Sequence, residues 1–162
     1  MKHTFLSAIQ YLACALAFLS IIPNVSAQSH HSGKQLYNTT EEGLAIKGYD
    51  PVAYFTDNTA QEGKQDIRYV YDGVTYRFTN QQHLNSFKMD PQKYMPQYGG
   101  WCAYAMGATG EKVDVDPETF KLLNGRLYLF YNRFFNNTKK SWDKDEINLK
   151  QKADVNWQMI SR

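Results

Sequence analysis

Cysteine is nearly absent. The chain holds 2 among 162 residues, Cys14 and Cys102. Cys14 sits inside an apolar N-terminal run, so Cys102 stands alone in everything that follows. No C-x-x-C pair exists, which excludes dithiol redox chemistry of the usual kind. Clustered basic residues are missing too. Lys139-Lys140 is a lone pair, and the formal charge of +2 leaves no nucleic-acid footprint. There is no Ser-His-Asp order, no phosphate loop and no H-E-x-x-H helix. Asp114, Asp116 and Glu118 lack the glycine and terminal glutamate of a calcium loop, and Asp116-Pro117-Glu118 reads instead as a helix start. No internal repeat or low-complexity tract appears, and no stretch after the N-terminal run is long and apolar enough to span a membrane.

The N-terminal run itself has the pattern of a secretory signal. Lys2 and His3 open it, Leu12–Ile22 is apolar, Pro23 breaks it, and Val25-Ser26-Ala27 offers the small residues that a signal peptidase reads. Cleavage before Gln28 is expected, which makes residues 1–27 a signal peptide and the protein exported, either periplasmic or secreted. Polar residues from Gln28, including His30-His31, suggest a mobile segment over 28–43, and the remaining 44–162 suits one domain with its own core. An exported chain with a single unpaired thiol is unusual, because such chains pair their cysteines or dispense with them.

What is abundant is aromatic: 15% of the chain, with 12 tyrosines. Ile67–Phe78 alternates in and out around Asp72-Gly73, a tight hairpin turn. A second hairpin follows "DPETFKLL" and turns at Asn124-Gly125 into the apolar "RLYLFYN". Asp50-Pro51 marks a helix start, with Val52, Ala53 and Phe55 facing inward. Thr79 or Asn80 caps a helix whose inner face carries His83, Leu84 and Phe87. Trp101–Met106 reads as a helical turn, and Trp142–Met159 as a closing helix with Ile147, Leu149, Ala153 and Trp157 as its apolar points. The expected fold is α+β: a small antiparallel sheet from two β-hairpins, covered by helices, with a C-terminal helix.

The spaced string Asp50-Pro51-Val52, Tyr71, Gly73, Tyr76, Phe78, Phe87, Asp90-Pro91, Lys93, Tyr94 resembles the YHS domain found in copper-transport ATPases and elsewhere. From "KGYDPVAYF" through "PQYGGWCAYA" to "ADVNW", the chain is similar to exported YHS-domain proteins. The resemblance itself implies little chemistry. Metal-associated members carry cysteines at positions that align here with Ala53, Thr79 and His83, so only His83 keeps a donor suited to copper or zinc.

Within that frame, "MPQYGGWCAYAMGATG" holds the candidate site. Cys102 is a candidate nucleophile. Cys102, His83 and Met106 are candidate ligands for a copper or zinc ion. Tyr49, Tyr98, Trp101 and Tyr104 are candidate walls of a small-ligand pocket. Three functions follow: a binding module for a metal or small ligand near Cys102, a thiol-dependent redox or transfer protein, or a structural or interaction domain. Each of these residues also has a plainer role as core, cysteine above all.

Overall fold

The computed structural model describes residues 36–162. The expected signal peptide, Cys14 and His30-His31 lie outside them. Leu36 and Asn38, within the expected N-terminal segment 28–43, make ordered contacts. Asn38 N–H donates to Gly99 O at 2.8 Å, and Trp101 Nε1 donates to Leu36 O at 3.0 Å. Residues 36–38 therefore form a strap over the Tyr98–Trp101 loop.

The fold is mixed α+β with a C-terminal helix. Helix α1 (Ala53–Thr56) is a single turn led in by Asp50-Pro51. Val52, Ala53 and Tyr54 are fully buried, whereas Phe55 is only half-buried. The inward aromatic is thus Tyr54, whose hydroxyl donates to Pro117 O at 2.9 Å. Strands β1 (Lys64–Tyr71) and β2 (Val74–Phe78) pair antiparallel with Tyr69 opposite Tyr76. Their turn, Asp72-Gly73, has φ of +50° and +76°, which the sequence Asp-Gly accommodates at little cost. Helix α2 (Gln81–Met89) starts where Asn80 Oδ1 accepts from His83 N–H at 2.8 Å, and it buries His83, Leu84 and Phe87. Asp90 caps the short α3 (Pro91–Tyr94) in the same way. Phe87 is the hub of this half, ringed by Tyr69, Tyr71, Tyr76, Phe78 and Tyr94.

Helix α4 (Ala103–Ala108) is followed by β3 (Asp116–Leu123) and β4 (Arg126–Phe130), joined by Asn124-Gly125 at φ of +50° and +70°. Asp116-Pro117-Glu118 begins a strand, not a helix. Asp116 does accept from Glu118 N–H at 3.1 Å and from Thr119 Oγ1 at 2.9 Å, the local bonds of a helix start. Here they shape an irregularity, for the register shifts between Asp116 and Phe120. The two hairpins do not join into one sheet; each is its own two-stranded ribbon. They communicate through β4, which is buried on both faces. Leu127 and Leu129 enter the cluster built on α2 and β2, while Tyr128 and Phe130 enter a second cluster with Tyr98, Met106 and Trp142.

The closing helix is broken. Strands β5 (Asn132–Arg133) and β6 (Asn136–Asn137) form a small hairpin, followed by α5 (Thr138–Trp142) and α6 (Glu146–Ile160). Trp142 ends α5 fully buried, and its Nε1 donates to Glu146 Oε2 at 3.1 Å, fixing the corner. On α6 the inner stripe is Leu149 and Ala153, with Trp157 half-buried. Ile147 is 75% exposed, because it lies about 200° around the helix from Leu149. A Cβ on Gly107 would sit 2.4 Å from Leu149 O, so α4 and α6 cross at a separation only glycine allows.

Candidate functional site

Cys102 is completely buried. It occupies the position before α4, its N–H donates to Val113 O at 2.9 Å, and its carbonyl accepts from Met106 N–H at 3.0 Å. The sulfur accepts from Tyr131 N–H at 3.3 Å and lies 3.4 Å from Thr138 Oγ1. Thr138 Oγ1 in turn donates to Tyr131 O at 2.9 Å. One proton arrangement satisfies every group in this ring: Tyr131 N–H to sulfur, sulfhydryl to Thr138 oxygen, Thr138 hydroxyl to Tyr131 carbonyl. The thiol therefore clips α4 to the base of the β5–β6 hairpin, with no face open to solvent.

His83 belongs to a different network, centred on a carboxylate whose reach the sequence reading missed. Asp50 is fully buried. Its Oδ1 accepts from Val52 N–H at 2.8 Å and, more distantly, from Ala53 N–H at 3.4 Å. Its Oδ2 accepts from Thr79 N–H and Thr79 Oγ1, both at 2.8 Å, and from His83 Nδ1 at 2.7 Å. The other ring nitrogen lies 3.4 Å from Thr56 Oγ1. The three positions where the YHS resemblance expects cysteines, Ala53, Thr79 and His83, thus gather around one acid that holds them by hydrogen bonds. A capping Asp before Pro51 was legible in the sequence; its grip on β2 and α2 was not, because those partners are distant in the chain.

Met106 is fully buried among the rings of the second cluster, whereas Cys102 belongs to the first. The three candidate metal ligands therefore lie in three separate environments. Among the described residues no group of three or more His, Cys, Asp or Glu is arranged to hold a metal ion. One nitrogen of His83 is committed to Asp50 and the Cys102 sulfur to Tyr131 and Thr138. These residues do not fit a copper or zinc centre as a set.

The aromatic candidates separate as well. Tyr49 Oη sits 3.4 Å from Glu118, on the side of the first cluster. Trp101 is pinned through Leu36 and lies under the Lys112 ammonium, 5.9 Å from the ring centre. Tyr104 packs at the margin of both clusters. Tyr98 alone of the four borders a polar hollow of about 380 Å³, together with Tyr37, Gln97, Arg126 and Trp157.

The floor of that hollow is strained. Tyr98, Gly99 and Gly100 follow one another at φ of +56°, +61° and +84°. For tyrosine that conformation costs on the order of 1–2 kcal/mol. It is held by the strap at 36–38 and by Tyr98 Oη donating to Asp154 Oδ1 at 2.9 Å. Burial, then the Asp154 bond, pushes the Tyr98 hydroxyl well above the usual phenol range. Gly99 is required: a Cβ there would lie 2.6 Å from Leu36 O and 2.8 Å from the Trp157 ring. Behind the floor, sharing Tyr37, Met95, Pro96 and Gly99 as wall, is an inner cavity of about 10 Å³, near the size of one water. Arg126 is the only charged side chain lining the hollow among the described residues, and one guanidinium nitrogen donates to Gln92 O at 3.3 Å. Arg126 and Trp157 went unremarked as site residues in the sequence, since one reads as a strand residue after a turn and the other as a helix's apolar point.

No family model, curated protein or solved structure matches the chain. No helix among the described residues is long and apolar enough to cross a membrane.

Proposed function

We propose that this chain is an exported, non-enzymatic binding module of the YHS type, and that it takes a small organic anion in the hollow beside Tyr98. The observation that carries this reading is the strained Tyr98-Gly99-Gly100 floor set against a lone cation, Arg126, in an open polar hollow. Backbone held in a costly conformation by several independent contacts is a feature of ligand clamps. Arg126 presents a planar donor fork suited to a carboxylate or phosphate. Trp157 offers a ring edge and face beside it. The volume lies within the usual range for small-molecule sites. Cys102 serves this site as scaffold, and the thiol-transfer reading loses its support because the sulfur is enclosed and bonded.

Benzoate is a suitable probe, since it joins a ring to one carboxylate. Its titration should perturb the fluorescence of Trp157, and Arg126→Gln should weaken binding by about tenfold or more, the usual weight of a charged hydrogen bond. Benzyl alcohol, equal in ring but uncharged, should bind no better to the native protein than to the variant. Equal benzoate affinity in both proteins would contradict the proposal.

A further inference from the structure

The β5–β6 hairpin turns on Phe134 and Phe135, at φ of +53° and +64°. Two positive values at the centre of a two-residue turn are what Asn-Gly adopts readily and what bulky residues resist. The same protein uses Asp-Gly and Asn-Gly at its other two hairpins. Here it places two of its largest apolar side chains instead, 88% and 111% exposed. The turn is locally strained and its apolar surface is unburied, a double cost with no return inside the fold.

Within the hairpin, between Asn132 and Asn137, the only charged side chain is Arg133, and Lys139 and Lys140 follow in the chain on α5. Arg133 pairs with Asp114 at 3.3 Å and Lys139 with Asp143 at 2.8 Å, while Lys140 is exposed. The base of the hairpin is rigid. Thr138 N–H donates to Tyr131 O at 3.0 Å, and the buried Cys102 sulfur holds both residues. The tip therefore projects from an anchored base.

We propose that the Phe134-Phe135 tip is a membrane-surface anchor, with both rings entering the interfacial layer of an anionic bilayer and Arg133, Lys139 and Lys140 meeting lipid phosphates. The area favours a bilayer over a protein partner. Two rings offer roughly 300–500 Å² between them, well short of the total that a stable protein interface buries, about 1,200 Å² or more. A convex wedge needs no complementary pocket in a bilayer, and aromatic side chains with flanking cations are what the interfacial layer accepts. Two rings and a few cations give weak, reversible attachment. This inference does not depend on the ligand reading of the Tyr98 hollow.

The test uses residues 28–162, the form left by the cleavage expected before Gln28, with vesicles of phosphatidylcholine containing a quarter phosphatidylglycerol. Wild type should co-sediment, and the double variant Phe134→Asn, Phe135→Gly should lose at least fivefold in bound fraction. That variant should also be the more stable protein, its thermal midpoint raised by roughly 4 °C, because the new residues suit the turn. Lost binding with raised stability separates a functional tip from a folding defect. A Phe135→Trp variant should show an added blue-shifted emission when vesicles are present. Equal sedimentation of wild type and the Asn-Gly variant, a tip tryptophan that stays in water, or failure of wild type to sediment would each overturn the proposal.

Discussion

At the scale of single residues, the unpaired cysteine and the buried aspartate turn out to do similar work. Each is a hydrogen-bonding hub that ties together segments far apart in sequence. Cys102 joins α4 to Tyr131 and Thr138, and Asp50 joins α1 to Thr79 and His83. Replacing Cys102 with alanine strands the Tyr131 N–H, and a stranded buried donor costs about 1–3 kcal/mol. Serine keeps an acceptor and a donor in place and should cost less than alanine. Urea denaturation of the two variants checks this order. In the native protein the thiol should resist iodoacetamide and react fully once unfolded; rapid native alkylation would restore the reactive-thiol reading. The sequence could flag Cys102 as solitary but not as enclosed, because its partners beyond its own helix lie at residues 113, 131 and 138. His83 was likewise readable as inward on α2, while its partner Asp50 was readable only as a local cap.

At the scale of elements, turn and cap chemistry made most of the architecture legible. Asp72-Gly73 and Asn124-Gly125 marked both large hairpins, and Thr79 or Asn80 marked the start of α2, where Asn80 is the cap. Two elements escaped for physical reasons. Asp116-Pro117-Glu118 makes helix-start bonds and then runs on as a strand, so local preference was satisfied without deciding the outcome. The β5–β6 hairpin has no turn residues at its centre and was invisible to any rule based on them. The break between α5 and α6 is set by Trp142 sinking into the second cluster, a tertiary effect. The α4–α6 crossing gives a sharp element-level prediction. Gly107→Ala should lower stability by several kcal/mol, because the added methyl meets Leu149 backbone and not a side chain that can turn away. A urea midpoint within error of wild type would show that the helices can part.

At the scale of the whole molecule, tyrosine supplies both packing and a pH limit. Burial foremost raises the hydroxyls of Tyr54, Tyr76 and Tyr98, and burial with the Asp72 bond raises Tyr37 to about 12. Unfolded tyrosine ionises near pH 10. The folded chain keeps these groups protonated above that point while the unfolded chain does not. Their contribution is thus intact below about pH 10 and is lost progressively as the pH climbs toward 12 and beyond. Urea midpoints should hold steady from about pH 8 to 10 and fall steeply above it, with a distinct part of the phenolate absorbance, that of Tyr37, Tyr54, Tyr76 and Tyr98, appearing as the protein unfolds.

The same scale holds the central functional claim, that the binding site is the strained hollow and not the enclosed sulfur. Amide chemical shifts during benzoate titration locate the site directly. Movement is expected at Gln97, Tyr98, Gly99 and Arg126 and at the Trp157 indole, with Cys102, Ala103 and Tyr131 unmoved. Shifts centred on Cys102 and Tyr131, with the hollow silent, would contradict it.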